Sequence, residues 1–127
     1  MRAPIILVTL LMLFVSDTTV GADAAGNYAI WGVGRSSCYQ FGKSPDDDSR
    51  DRYRVFLMGY LTAFNTLSEN TYNSTGNQSL EQSIRWLGEY CSQHQMDSFD
   101  RAIQQMLDTL YASRHPHPPG RERGWGR

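Results

Sequence analysis

Only two cysteines occur in these 127 residues, Cys38 and Cys91. What they do depends on the compartment, and the first residues speak to that. Met1-Arg2 precedes an apolar run over 3–15, and Val20-Gly21-Ala22 has the small-residue V-x-A pattern of a cleavage site. Residues 1–22 therefore read as a secretory signal peptide, cleaved near Ala22. The run breaks at Ser16-Asp17-Thr18-Thr19, well short of the roughly 20 apolar residues a membrane span needs, so no stable membrane insertion is expected. In an exported chain, an even number of cysteines reads first as a disulfide, and two cysteines allow one pairing. The expectation is a Cys38–Cys91 staple in a periplasmic or secreted protein.

About 105 residues remain after cleavage, enough for one small domain with one core. Residues 23–35 are rich in Gly and Ala and are expected to form an extended lead-in, with Tyr28, Ile30 and Trp31 free to pack onto the domain. The tail "RHPHPPGRERGWGR" (114–127) has three prolines, three glycines and no periodicity, and is expected to be a disordered basic tail. Between them, 36–113 carries three helical patterns. The first opens with Ser44 as N-cap, Pro45 at the first helical position and Asp46, Asp47 and Asp48 near the positive end of the dipole. Its apolar positions are Tyr53, Phe56, Leu57, Tyr60, Phe64 and Leu67. The second opens with the capping-box pattern Ser79-Leu80-Glu81-Gln82 and carries Leu80, Ile84, Leu87 and Cys91 on one stripe. The third starts near Asp97 or Ser98 and repeats the rhythm with Phe99, Ile103, Met106 and Leu110. The polar segment 69–79 between the first two patterns reads as an exposed loop, with sequons at Asn73 and Asn77. The fold class that follows is all-α: a small single-domain helical bundle clamped by one disulfide.

Few residues offer chemistry. Cys91 precedes His94 by three positions, but a nucleophilic thiolate needs an exposed electropositive site, and the spacing turns this sulfur inward. His94, His115 and His117 lack further ligands at a recognisable metal-site spacing. The Asp46-Asp47-Asp48 run lacks the alternating ligands and turn glycine of a calcium loop. Gly32-Val33-Gly34 has neither a preceding strand nor a third glycine, and reads as a turn rather than a dinucleotide loop. A net charge of −1 gives no nucleic-acid-like surplus. No metal, cofactor or catalytic residue is expected, and a small hydrolase is the most distant alternative. Trp86 and Tyr90, four apart and off the apolar stripe, either widen the core face or form an apolar patch for a partner.

The segments "SSCYQF", "FLMGYLTAFN", "WLGEYC" and "SFDRAIQQMLDTL" together resemble the pattern of small periplasmic proteins around the HdeA/HdeB acid-stress chaperones. The resemblance covers 36 to about 110 and implies a compact helical domain that is a homodimer near neutral pH. It also implies, in strong acid, an apolar surface that binds unfolded clients. The "GYLTAFN" segment and the late helices are also similar to periplasmic immunity proteins that neutralise peptidoglycan-amidase toxins delivered by type VI secretion. That second resemblance implies a toxin partner plugged by the 69–79 loop, with Tyr72 and Asn73 as contacts. Both resemblances give a non-enzymatic protein that acts by binding another protein.

Overall fold

The computed structural model describes residues 21–120, so the expected signal peptide falls almost wholly outside the described residues, as does the end of the tail. Four α-helices carry the fold: α1 (Cys38–Gly42), α2 (Asp47–Leu67), α3 (Leu80–Gln93) and α4 (Phe99–Leu110). Two 3-10 turns, Gly32–Arg35 and Tyr111–Ser113, flank them, and among the described residues only isolated bridges represent β-structure. No described helix is long and apolar enough to cross a membrane.

Each α-helix begins at an oxygen-bearing side chain that satisfies an otherwise orphaned amide. Ser79 and Gln82 close the expected capping box on α3, with Ser79 N donating to Gln82 Oε1 at 2.7 Å and Gln82 N to Ser79 Oγ at 3.2 Å. Ser98 caps α4 through Arg101 N at 3.1 Å. On α2 the cap is Asp46, not Ser44, with Ser49 N donating to the Asp46 carboxylate at 2.7 Å. Asp46 offers the amide a charged acceptor, and Pro45 lies outside the helix. Ser44 is buried, with its own N–H turned back to the Phe41 carbonyl.

With five residues, α1 is too short to show a helical period in the sequence. Its capping box pairs Ser37 with Gln40, and the Cys38–Cys91 disulfide, at 2.05 Å, fixes it to α3. Backbone bonds continue the clamp, from Cys38 N to Asp97 O at 2.8 Å and from Phe99 N to Ser36 O at 2.8 Å. The core forms on this frame from Leu57, Leu87, Phe99, Ile103 and Met106, all without measurable exposure. On α4 the buried residues 99, 102, 103, 106 and 107 follow the expected rhythm. The buried stripe of α3 is turned from the expected one: Ser83 is inside, while Leu80 and Ile84 are only half-buried. Ser83 tolerates burial because its hydroxyl donates to Ser79 O and accepts from Gln78 Nε2. Leu67, expected on the apolar face of α2, is 84 % exposed at the helix end.

The lead-in is shorter than expected, because it closes into the 3-10 turn at Gly32–Arg35. Gly34 is needed there, since a Cβ would lie 2.4 Å from the Phe56 ring and 2.9 Å from Ile30. The tail also departs from expectation at its start. His115 N donates to Asn73 O at 2.9 Å, while Tyr72 N and Asn73 N donate to His115 O at 2.8 and 3.0 Å. Arg114 lies over the Tyr111 ring at 3.8 Å. Backbone pairing of this kind needs no apolar pattern, which is why composition pointed to disorder from residue 114.

The same seam buries the middle of the 69–79 loop, at Ser74, Thr75 and Gly76. Gly76 has φ +59°, and a Cβ there would lie 2.3 Å from the Ser113 carbonyl oxygen. Gly76→Ala is therefore expected to cost about 2–3 kcal/mol, from left-handed backbone strain plus the backbone clash. Thermal unfolding of the variant checks this, and a loss below about 0.5 kcal/mol, the range of ordinary surface changes, would mean that loop and tail do not depend on each other.

Candidate interaction surface

The α3 aromatics form a ladder along the outside of the helix. Trp86 and Tyr90 are half-buried against the core and stack at 5.6 Å, and Tyr90 stacks on the His94 ring at 4.0 Å. The Tyr90 hydroxyl donates to Asp97 Oδ2 at 2.6 Å, which raises its pKa above the usual tyrosine value. His94 Nδ1 lies 2.9 Å from the Tyr90 carbonyl, and Cys91 is bonded to Cys38, so the Cys91–His94 spacing serves the helix end. No group of three or more His, Cys, Asp or Glu able to hold a metal occurs among the described residues.

The loop pair divides. Tyr72 is half exposed, whereas Asn73 is turned into its own loop, donating to Gly76 O at 2.9 Å and accepting from the Thr75 hydroxyl at 3.1 Å. Asn73 shapes the turn, and the loop expected to be exposed is buried at Ser74 and Thr75 while Asn77 of the second sequon is exposed. No hydrogen bond or ring pair among the described residues joins Tyr72 or Asn73 to Trp86 or Tyr90.

Larger apolar exposure lies elsewhere, on α2 and the lead-in. Trp31 is 81 % exposed and Val55 63 % exposed. A shallow open groove of about 730 Å³ runs along the first half of α2, lined by Gly32, Val33, Val55 and Phe56 together with Asp48, Asp51 and Arg52. Val55 and Met58, three apart on α2, leave an apolar strip in solvent, which is unusual for a surface with no partner. The signal was present in "RVFLMGYLTAF", whose apolar residues occupy more of the helix circumference than one core-facing stripe requires.

Two carboxylates, Asp100 buried and Asp97 partly exposed, tie neighbouring segments together. Asp100, 3 % exposed in the first turn of α4, accepts from the Tyr28 hydroxyl at 2.7 Å and from Gln104 Nε2 at 3.0 Å. Tyr28 thereby straps the lead-in to α4, and the bond to Asp100 raises the Tyr28 pKa. Asp97 does the same between α3 and the turn before α4 through Tyr90. At the surface, Arg54 bridges helices by donating to Glu81 at 3.1 and 3.3 Å and to Asp51 at 3.0 Å, an exposed network of small energetic weight. No family model matches the chain, and neither the curated proteins nor the solved structures contain a match to it.

Proposed function

We propose that this chain is an exported, non-catalytic binding protein whose partner is another protein, with its apolar surface recruited in acid as in a stress chaperone. The observation that carries the proposal is the exposed apolar groove along α2, lined by Val55 and Phe56, with Trp31 exposed one residue before the lining Gly32. Near neutral pH a second copy would cover that face, and in acid the face would be freed for unfolded clients. The disulfide supports an oxidising compartment, consistent with the leader-like residues 1–22.

Support for acid linkage comes from charge. Residues 36–113 hold ten carboxylates against six Lys and Arg, so their net charge passes from −4 to +7 once the carboxylates are neutral and His94 is charged. Like-charge repulsion then opposes a dimer. The Ser49 hydroxyl and backbone N–H hold the Asp46 cap below its ordinary value of 3.8. A depressed folded value stabilises the fold above pH 3.8 and loses that contribution as pH falls through it, so the α2 cap weakens only in strong acid. A toxin-plugging immunity role is less well supported, because the middle of the 69–79 loop is buried.

A titration from pH 7 to about pH 2, following mass and hydrophobic-dye binding together, tests the proposal. The expected result is dissociation of a dimer with new dye binding and suppression of aggregation of an acid-denatured test protein. Trp31→Asp with Val55→Asp is expected to abolish that suppression while leaving helix content unchanged. A monomer that stays dye-silent throughout, or full suppression by the double variant, would overturn it.

A further inference from the structure

A second concavity, of about 520 Å³, lies between the lead-in, α2 and α4, away from the α2 groove. Its walls are aromatic and aliphatic: Tyr28, Tyr60, Phe64 and Leu107. Its polar edge is acidic among the lining residues, with Arg101 near enough to Tyr28 to oppose Asp100 in part. Asp108 lines it, Asp100 lies behind Tyr28, and no lysine or arginine is among its lining residues. Asp100 needs no cation of its own, since it sits in the first turn of α4, where the helix dipole favours a carboxylate.

The hydrogen-bond directions make this edge a set of acceptors. Tyr28 gives its only proton to Asp100, so its oxygen faces other groups as an acceptor, as it already does toward Gln104. Gln104 Nε2 is committed to Tyr28 and Asp100, which leaves its amide oxygen. Tyr60 stays neutral far beyond physiological pH, because burial, followed by the field of Asp100, pushes it up to about 12. A neutral phenol oxygen accepts more strongly from a cationic donor than from a neutral one, and a carboxylate at the rim adds charge complementarity.

We propose that this cleft binds a small alkylammonium ion, its charged head among Asp108 and the phenol oxygens of Tyr28 and Tyr60, its hydrocarbon along Phe64 and Leu107. An uncharged chain of the same length would fill the walls and leave the acceptors without a donor cation. Gly21 and Ala22 also line the cleft, and cleavage near Ala22 would remove them while leaving the aromatic walls.

The test is an NMR titration of the ¹⁵N-labelled, disulfide-bonded protein at fixed ionic strength. It follows the Gln104 side-chain amide and the Leu107 and Asp108 backbone amides. Three probes are added in turn: hexylammonium, its neutral analogue hexanol, and Nα-acetyl-lysine amide. Hexylammonium is expected to give saturable shifts, with hexanol about tenfold weaker for want of the carboxylate attraction and of charge-assisted hydrogen bonds to the phenol oxygens. Asp108→Asn is expected to weaken hexylammonium about three- to fivefold, the range for a partly exposed ion pair, and to leave hexanol unchanged. Glu89→Gln, with the same change in net charge on α3, is expected to do neither. Equal binding of hexanol, indifference to Asp108→Asn, or no saturable shift with hexylammonium would overturn the proposal. Acetyl-lysine amide binding as well as hexylammonium would support the site and point to a lysine presented by a partner protein, while weaker binding would support it and point to a free amine.

Discussion

Replacing Cys38 and Cys91 together by alanine is expected to lower stability by about 4 kcal/mol, the denatured-chain entropy released when a closed loop of this length is opened. The two residues lie 53 apart in sequence, so the bridge restricts about half of the described chain when unfolded. For a domain of this size the loss corresponds to a fall of roughly 15–30 °C in melting temperature, and it is comparable to the whole stability of many small domains. The effect has a local signature as well. The bridge holds α1 to α3, and α1 is five residues long, too short to persist without a tertiary anchor. Hydrogen exchange should therefore show α1, with the amides of Cys38 and Phe99 that bridge 36–38 to 97–99, losing protection before the centre of α4. Reduction of the wild-type protein should reproduce the shift. A double variant melting within a few degrees of wild type would mean that α1 is held by its backbone bonds alone.

What could be read from the sequence was whatever rests on local spacing. The staple followed from a count of two cysteines, the starts of α3 and α4 from Ser79 with Gln82 and from Ser98, and the buried face of α4 from its rhythm of threes and fours. What could not be read depends on encounters between distant residues. Ser44 and Asp46 are both good caps, and the choice between them is made where Ser44 is buried. The five residues of α1 complete too few turns to show a period. His115 finds Asn73 through backbone groups that every sequence possesses. Of the surface, Trp86 and Tyr90 were visible as a pair because they are four apart, but Trp31 and Val55 come from separate elements. The burial of Asp100 left no mark beyond an acid in a first turn, since its partners Tyr28 and Gln104 lie 72 and 4 residues away.

Phe99→Ala is expected to cost about 3–5 kcal/mol, the usual range for a fully buried phenylalanine. The ring has no exposure, and it is where the aromatic side chains of three helices converge. Phe41 of α1 lies at 4.7 Å between ring centroids, Tyr53 of α2 at 4.8 Å and Phe56 of α2 at 6.2 Å. Phe41 and Tyr53 also meet each other at 4.9 Å, so deletion of the central ring leaves a void whose walls are themselves rigid rings and collapse poorly. Its effect should fall on a different joint from that of the disulfide. The cysteines tie α1 to α3, whereas Phe99 ties α4 to both α2 and α1, so Phe99→Ala should release α2 amides while Cys38 and Cys91 remain bonded. Phe99→Leu, which refills most of the void, should recover more than half of the loss; a leucine variant as unstable as the alanine would point instead to the ring contacts themselves. Combining Phe99→Ala with Cys38→Ala and Cys91→Ala asks whether the two joints belong to one cooperative unit. If they do, the summed loss of about 7–9 kcal/mol exceeds what a domain this small can sustain, and the triple variant is unfolded at 25 °C. A triple variant that keeps helix content and a sigmoidal melt would show that the two losses are not additive and that the remaining helix contacts hold the domain without either joint.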